Sequence, residues 1–213
     1  MPLQNGTRLG PYEILGPIGA GGMGEVYRAR DARLDRSVAI KVIPAHLAAE
    51  AEVRQRFERE ARAVSGLNHP NICVLHDIGQ EGSTYFFVME LLEGESLAAR
   101  LEKGPLSPDE FFPAAIQVAD ALAAAHRVGI VYRDLKPGNI VLTRQGAKLL
   151  DFGLARATGL AAVPGSGLTQ SPTMGRPLTA EGTIVGTFQY MAPEQLEGKD
   201  ADAHTDILAF GAV

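Results

Sequence analysis

Between Gly129 and Leu142 the chain reads GIVYRDLKPGNIVL, with Arg133, Asp134 and Lys136 set between two apolar, strand-like runs. Both runs call for burial, and Pro137-Gly138 bars a helix across the junction. A fold that buries the runs must turn the charges between them toward a cleft, where polar partners complete their bonding. The same demand recurs twice upstream. Lys41 interrupts the strand pattern SVAIKVI (37–43), and a lysine in a buried strand needs a partner or loses its proton. Glu60 falls on the stripe Val53, Phe57, Glu60, Val64, Leu67, whose 4-3-4-3 spacing is one helix face. A pairing of Lys41 with Glu60 answers both demands; the alternative is a Glu60 at the edge of the stripe, turned to water.

The 213 residues suffice for one large domain or two small lobes. Residues 12–43 read as strands around a glycine cluster, 47–66 as a helix stopped by Gly66, 84–92 as a buried strand and 96–104 as a short helix. The longest helical pattern covers 106–129. It opens with a capping box, Ser107 at the N-cap, Pro108 at the first helical position and Glu110 three after the cap. Pro113 removes the bond back to Asp109 and is expected to kink or delay this helix. Strand-like pieces follow at 139–143 and 147–150. Residues 158–186 are rich in Gly, Pro, Ser and Thr, and loops of that length are usually functional. Strands come first and helices second, with a break near 93–95, which predicts an α+β chain in two lobes.

Composition narrows the function classes. Hydrophobic residues make up 46% and charged ones 21%, which excludes a disordered chain. A net charge of −5 offers no general surface for nucleic acid or an anionic membrane. No run approaches ~18 apolar residues, so no membrane span is expected, and the N-terminus lacks the apolar core of a signal peptide. The single cysteine, Cys73, sits in the apolar run NICVL and reads as a core residue, in keeping with a reducing compartment. The five histidines show no metal-ligand spacing, so no zinc site is expected.

The cluster GAGGMG (19–24) matches G-x-G-x-x-G, but it is followed by the strand-like EVYRARD rather than by a helix. That excludes a dinucleotide-binding βαβ unit. The glycines belong to a hairpin, which can still lay backbone N–H groups over phosphates. Asp151 follows the apolar KLL and opens DFGL. Beside Asn139 it forms an oxygen pair suited to Mg²⁺, leaving Asp134 free to orient a hydroxyl.

From Tyr12 to the last residue these elements, in this order, resemble the protein kinase family. The likeness rests on the glycine-rich loop with Val26, on VAIK with Lys41, on Glu60 in REAR, on YRDLKPGN, on DFG and on GTFQYMAPE ending at Glu194. Lys136, two after Asp134, resembles serine/threonine rather than tyrosine kinases, and IGAGGMGEVYRARD is similar to bacterial, eukaryotic-like members. The resemblance implies a bilobal fold: an extension at 1–11, an N-lobe at 12–92, and a partial C-lobe at 93–213 with an activation segment at 151–194.

It also implies roles. ATP would lie against Ile18, Gly19, Ala20, Gly21, Gly22, Met23, Gly24, Glu25 and Val26, and against Ala39, Lys41, Glu60, Glu90 and Leu92, with Met89 as gatekeeper. Asp134 and Lys136 would be catalytic, and Asn139 and Asp151 would hold Mg²⁺. Arg133 would meet a phosphate on the activation segment, with Thr179 or Thr183 as the site of autophosphorylation and Thr187 against Asp134. Partners would be proteins bearing Ser or Thr, at a cytoplasmic location, in a full-length parent open to membrane attachment.

Two departures stand out. Tyr132 replaces the more frequent histidine, and Gly138 replaces an acidic or small residue. Asp206 resembles the acid that opens the central C-lobe helix and braces the catalytic loop. The chain stops about two turns into that helix, without the arginine that usually pairs with Glu194. The expectation is therefore a longer kinase whose C-lobe is incomplete here, the alternative being an inactive nucleotide-binding or interaction fragment. Substrate, activating signal and oligomeric state have no signature in the sequence.

Overall fold

A computed structural model describes residues 2–21, 24–43, 51–150 and 189–213, with backbone alone at 20, 21, 51–54, 56, 57 and 60. Six antiparallel strands form the first sheet: β1 (Arg8–Leu9), β2 (Tyr12–Gly21), β3 (Gly24–Asp31), β4 (Arg36–Val42), β5 (Leu75–Glu81) and β6 (Thr84–Glu90). Their order is β1-β2-β3-β4-β6-β5. Helix α1 (Ala51–Ser65) lies against β5. The second half begins with β7 (Gly94–Ser96) and α2 (Leu97–Leu101), then the long α3 (Pro108–Arg127). A 3₁₀ turn (Pro137–Asn139) leads into β8 (Ile140–Thr143) and β9 (Gly146–Leu149), followed by α4 (Pro193–Leu196) and α5 (Ala203–Ala212). Strands β7, β8 and β9 make a small separate sheet.

Alternation along the strands builds two cores from one sheet. Val38 and Ile40 of β4, with Phe86 and Val88 of β6, join Leu9, Tyr12, Ile14, Tyr27 and Ala29 in one cluster. The neighbours of opposite parity, Ala39, Phe87 and Met89, face the other way, into the core shared with the helices. Lys41 has the parity of Ala39 and is 5% exposed. The period of two therefore sends the one lysine of this strand to the face between the lobes. Residues near the N-terminus finish the outer cluster: the Leu3 N–H donates to Tyr27 Oη at 2.8 Å, and β1 pairs with β2.

β5 and β1 were not among the strands expected. Asp77 and Gly79 dilute the apolar alternation of LHDIGQE, and the hairpin is marked only by its turn, where Gly82 has φ 58°. Register with β6, from Leu75 opposite Met89 to Glu81 opposite Thr84, supplies what local pattern lacks.

Helix α3 starts at Pro108, as the capping box predicts. The Glu110 carboxylate accepts from the Ser107 N–H at 3.0 Å and from its Oγ at 2.9 Å. Arg100 then clamps the same carboxylate through Nη2 at 3.1 and 3.0 Å. The Ser107 hydrogen bonds, aided by Arg100, hold Glu110 below the usual carboxylate range. This braced first turn corrects the expectation of delay: the helix begins on schedule and continues through Pro113. Asp109 and Pro113 are both exposed, so water can take the place of the missing bond.

The inner face of α3, with Val118, Ala121, Leu122 and Ala125, is buried. Its Gln117 accepts the Ala147 N–H at 2.7 Å and so ties the helix to β9. On the outer face Phe111, Phe112 and Ile116 are exposed, as are Ile207 and Leu208 of α5. Cys73 is buried, as expected of a core residue. Among the described residues no helix is long and apolar enough to cross a membrane. The stretch 158–186 lies outside the described residues.

Candidate active site

The charged stretch between the apolar runs is built around a carboxylate far along the chain. Asp206 sits in the first turn of α5, whose N-cap Asp202 accepts the His204 N–H at 2.8 Å. Asp206 is fully buried. Its two oxygens accept the backbone N–H groups of Tyr132 and Arg133, both at 2.7 Å, and Oδ2 also meets His126 Nε2 at 2.7 Å. A carboxylate taken out of water needs such partners, and here the loop backbone provides them.

Arg133 has φ 69°, the left-handed region that a side chain disfavours by roughly 1–2 kcal/mol. Its carbonyl accepts from Gln195 Nε2 at 2.8 Å, so the residue is held on both sides. Tyr132 is buried and its hydroxyl donates to the carbonyl of Leu150, which joins β9 to Asp151.

This frame aims Asp134. Lys136 Nζ meets its carboxylate at 3.0 and 2.9 Å, and Asn139 Nδ2 donates to its Oδ2 and to its backbone carbonyl, both at 2.8 Å. Asn139 is 7% exposed. With its nitrogen committed to Asp134, its Oδ1 is left as an oxygen donor of the kind Mg²⁺ prefers. The Leu150 N–H donates to the Asn139 carbonyl at 2.9 Å, which brings the residue before Asp151 alongside. Arg133 to Lys136 face Tyr190 and Met191 across a shallow cleft.

The second group of candidates lines the sheet face above. Val26 pairs with Lys41, Lys41 with Phe87, and Ala39 with Met89. Gly19, Ala20 and Gly21 pair with Val26, Glu25 and Gly24, which makes the glycine cluster the tip of the β2–β3 hairpin. Gly24 has φ 114°, a conformation that requires glycine. Ile18 is exposed beside it, and Glu25 accepts from the Tyr27 hydroxyl. Leu92 is half-buried just past β6. Gly22, Met23, Asp151, Thr179, Thr183 and Thr187 lie outside the described residues, as does the Glu60 side chain expected to pair with Lys41.

Three polar residues escaped the sequence reading. Lys148 on β9 meets both oxygens of Glu90 at 2.7 Å. Glu90 also accepts the Val74 N–H at 3.3 Å and donates its own N–H to the Val74 carbonyl at 2.9 Å. The argument that joined Lys41 to Glu60, two charges on apolar patterns, applies equally to Glu90 in FFVMELL and Lys148 in AKLL. Gln195 and His126 had no comparable signal, since an amide or an imidazole on a short or amphipathic helix reads as a surface residue. The Glu194 carboxylate accepts a hydrogen bond from the Thr205 hydroxyl.

Residues 12–213 match the family described as protein kinase domain. The chain belongs to the protein kinase family. It is 40% identical over 218 residues to a probable serine/threonine-protein kinase of Streptomyces coelicolor, a match that covers 99% of this chain and 30% of that protein. It is 39% identical over 208 residues to the serine/threonine-protein kinase pkn2 of Myxococcus xanthus, covering 96% of this chain and 24% of that one. It is 42% identical over 212 residues to the serine/threonine-protein kinase PknD of Mycobacterium tuberculosis, covering 99% of this chain and 30% of the relative. Among solved structures the Mycobacterium tuberculosis PknI kinase domain aligns with a TM-score of 0.76 at 29% identity, over 98% of this chain and 72% of that one. The kinase chain thus spans a quarter to a third of the length of these curated relatives, and its fold is the bilobal kinase fold.

Proposed function

We propose that this kinase chain transfers the γ-phosphoryl group of ATP to serine and threonine hydroxyls of proteins, its own included. The observation that carries the reading is the Asp134 carboxylate, oriented by Lys136 and Asn139 and facing the cleft beneath Tyr190 and Met191. Asp134 would accept the proton of the incoming hydroxyl as its oxygen attacks the γ-phosphorus and the bond to ADP breaks. Lys136, a compact charge beside Asp134, would offset the negative charge on the phosphoryl oxygens. Lys41 would hold the α- and β-phosphates, and the hairpin N–H groups from Gly19 to Gly24 would cover them. Val26, Ala39 and Met89 would pack on adenine, with Glu90 and Leu92 presenting backbone groups to it. Asn139 and Asp151 would hold Mg²⁺, which when bound neutralises phosphate charge. Most of the rate gain would come from this positioning and electrostatics.

In this reading residues 12–92 form the nucleotide lobe and 93–213 carry the catalytic loop and the substrate platform, within the cytoplasm where ATP is supplied. Arg133 would meet a phosphate on the segment 151–194, with Thr179 or Thr183 as the site and Thr187 beside Asp134. Phosphosite mapping after incubation with ATP tests this part, and an absence of phosphate from 158–183 removes it.

The deciding experiment is phosphate incorporation with ATP and Mg²⁺, with Asp134→Asn alongside. Loss of a general base costs about 10²–10⁴-fold, so the variant should be close to silent. The exposed Phe111, Phe112, Ile116, Ile207 and Leu208 favour one second reading, a chain that binds nucleotide without transferring phosphate. A folded protein that binds ATP and incorporates nothing would select it.

A further inference from the structure

Arg133 is held in its left-handed conformation by partners on two separate elements. One is Asp206 on α5, which takes the N–H groups of Tyr132 and Arg133. The other is Gln195 on α4, which donates Nε2 to the Arg133 carbonyl at 2.8 Å. Both ends of the Gln195 amide are used, because Oε1 accepts the Ala192 N–H at 3.1 Å. That second bond fixes which end of the amide faces the loop. Residue 192 belongs to the same short run as Tyr190 and Met191, which form the far wall of the Asp134 cleft.

We infer that Gln195 is a positioning residue that ties the substrate platform to the catalytic loop, so that the aim of Asp134 depends on where the platform sits. The inference rests on the kinase reading above. The carbonyl that Gln195 holds belongs to the peptide bond joining Arg133 to Asp134. A rotation of that peptide changes ψ of Arg133 and φ of Asp134, and so swings the carboxylate. Asp206 restrains the preceding N–H groups, and Lys136 and Asn139 hold Asp134 beyond it, so among the described residues Gln195 is the contact that fixes the Arg133 carbonyl itself. The platform stands downstream of the segment that carries Thr179, Thr183 and Thr187 in the sequence. A movement of the platform would therefore reach Asp134 through this hydrogen bond, with no change in the nucleotide face.

The test uses the full chain with Gln195→Glu and Gln195→Met. Glutamate keeps the shape and replaces the donor with an oxygen that faces a carbonyl; methionine keeps the length and removes both bonds. The readouts are kcat, the KM for ATP, and amide hydrogen exchange over 132–135. A small misplacement of a catalytic group costs up to about 100-fold, so kcat should fall roughly 10–100-fold with the ATP KM unchanged within about twofold. Exchange of the Asp134 amide, on the peptide that Gln195 holds, should quicken while that of β4 and β6 stays as in the wild type. A wild-type kcat in either folded variant overturns the inference, as does unaltered exchange of the Asp134 amide, or a raised KM with kcat intact. If Gln195→Glu does not fold, Gln195→Met carries the same readouts. If the wild type itself transfers no phosphate, the kinase reading fails, and hydrogen exchange alone then decides whether the tie exists.

Discussion

The β2–β3 hairpin and the loop from Ile130 to Lys136 both bring backbone close to the proposed phosphates, but they are held by different means. The hairpin is fixed by its neighbours in sequence: Gly19 opposite Val26, Ala20 opposite Glu25, Gly21 opposite Gly24. Among the described residues the loop has no strand partner, and it is held by side chains 62 to 74 residues away, from Gln195 and Asp206. A locally held element can change shape without disturbing the rest of the fold. One held through buried side chains moves only if the core that carries them moves too. The difference suits a lid over nucleotide on one side and a rigidly aimed carboxylate on the other.

Four changes would break or sharpen that contrast. The largest effect is expected for Asp206→Ala, which strips the buried Tyr132 N–H and the part-buried Arg133 N–H of their acceptor and His126 of its partner. Stability should fall by about 3–5 kcal/mol, read as a shift of the urea midpoint. A loss below about 1 kcal/mol would mean that the loop is not held from α5. Next comes Gly94→Ala, where an added Cβ would lie 2.2 Å from the Leu142 carbonyl oxygen across the β7–β8 ladder. Relief of that overlap should cost about 1–3 kcal/mol in the same assay.

The hairpin should behave otherwise. A Cβ at Gly19 meets nothing within 4 Å, so Gly19→Ala should leave stability within about 0.5 kcal/mol. Its effect should appear in the KM for ATP, raised on the order of tenfold, because the methyl group intrudes between backbone and phosphate. A large stability loss there would show that the hairpin is not the independent element described.

The smallest effect concerns acid. Burial pushes the Asp31 carboxyl up, but the Arg33 N–H and the charges of Arg33 and Arg36 more than reverse it, so it sits below its ordinary value. A lowered folded-state pKa means that this group's contribution is complete above the unfolded value near ~3.9 and is lost as pH falls through the lower folded one. Unfolding free energy should therefore decline below about pH 4 in the wild type, and with a shallower slope in Asp31→Asn. An identical slope in the two proteins would remove Asp31 from the account.

Much of this was legible beforehand, for reasons that are local. The capping box of Ser107 and Glu110 involves residues three apart, and it set the start of α3 correctly even against Pro113. The apolar run SVAIKVI placed Lys41 on a buried strand, and the structure adds which face. The glycine cluster read as a hairpin because a strand pattern followed it. β5 escaped because Asp77 and Gly79 blur its alternation, and its pairing with β6 is what makes it a strand. Asp206 was found through the family resemblance, since no periodicity links it to Tyr132.

By itself the sequence determined the types of the longer elements, β5 excepted, the grouping of Arg133, Asp134, Lys136 and Asn139 in one non-helical stretch, and the presence of charges that had to find a cleft. Those follow from hydrophobic period, from capping and from the geometry of proline and glycine, all of which act within a few residues. The tertiary structure alone decided how Asp134 is aimed. Left-handed Arg133 is unfavourable on its own, and it persists because Asp206 takes its N–H and Gln195 holds its carbonyl. It likewise decided that Glu90 is matched by Lys148, a pairing across 58 residues. Local pattern can show that a buried charge needs a partner, and only the packing of distant segments selects which one it gets.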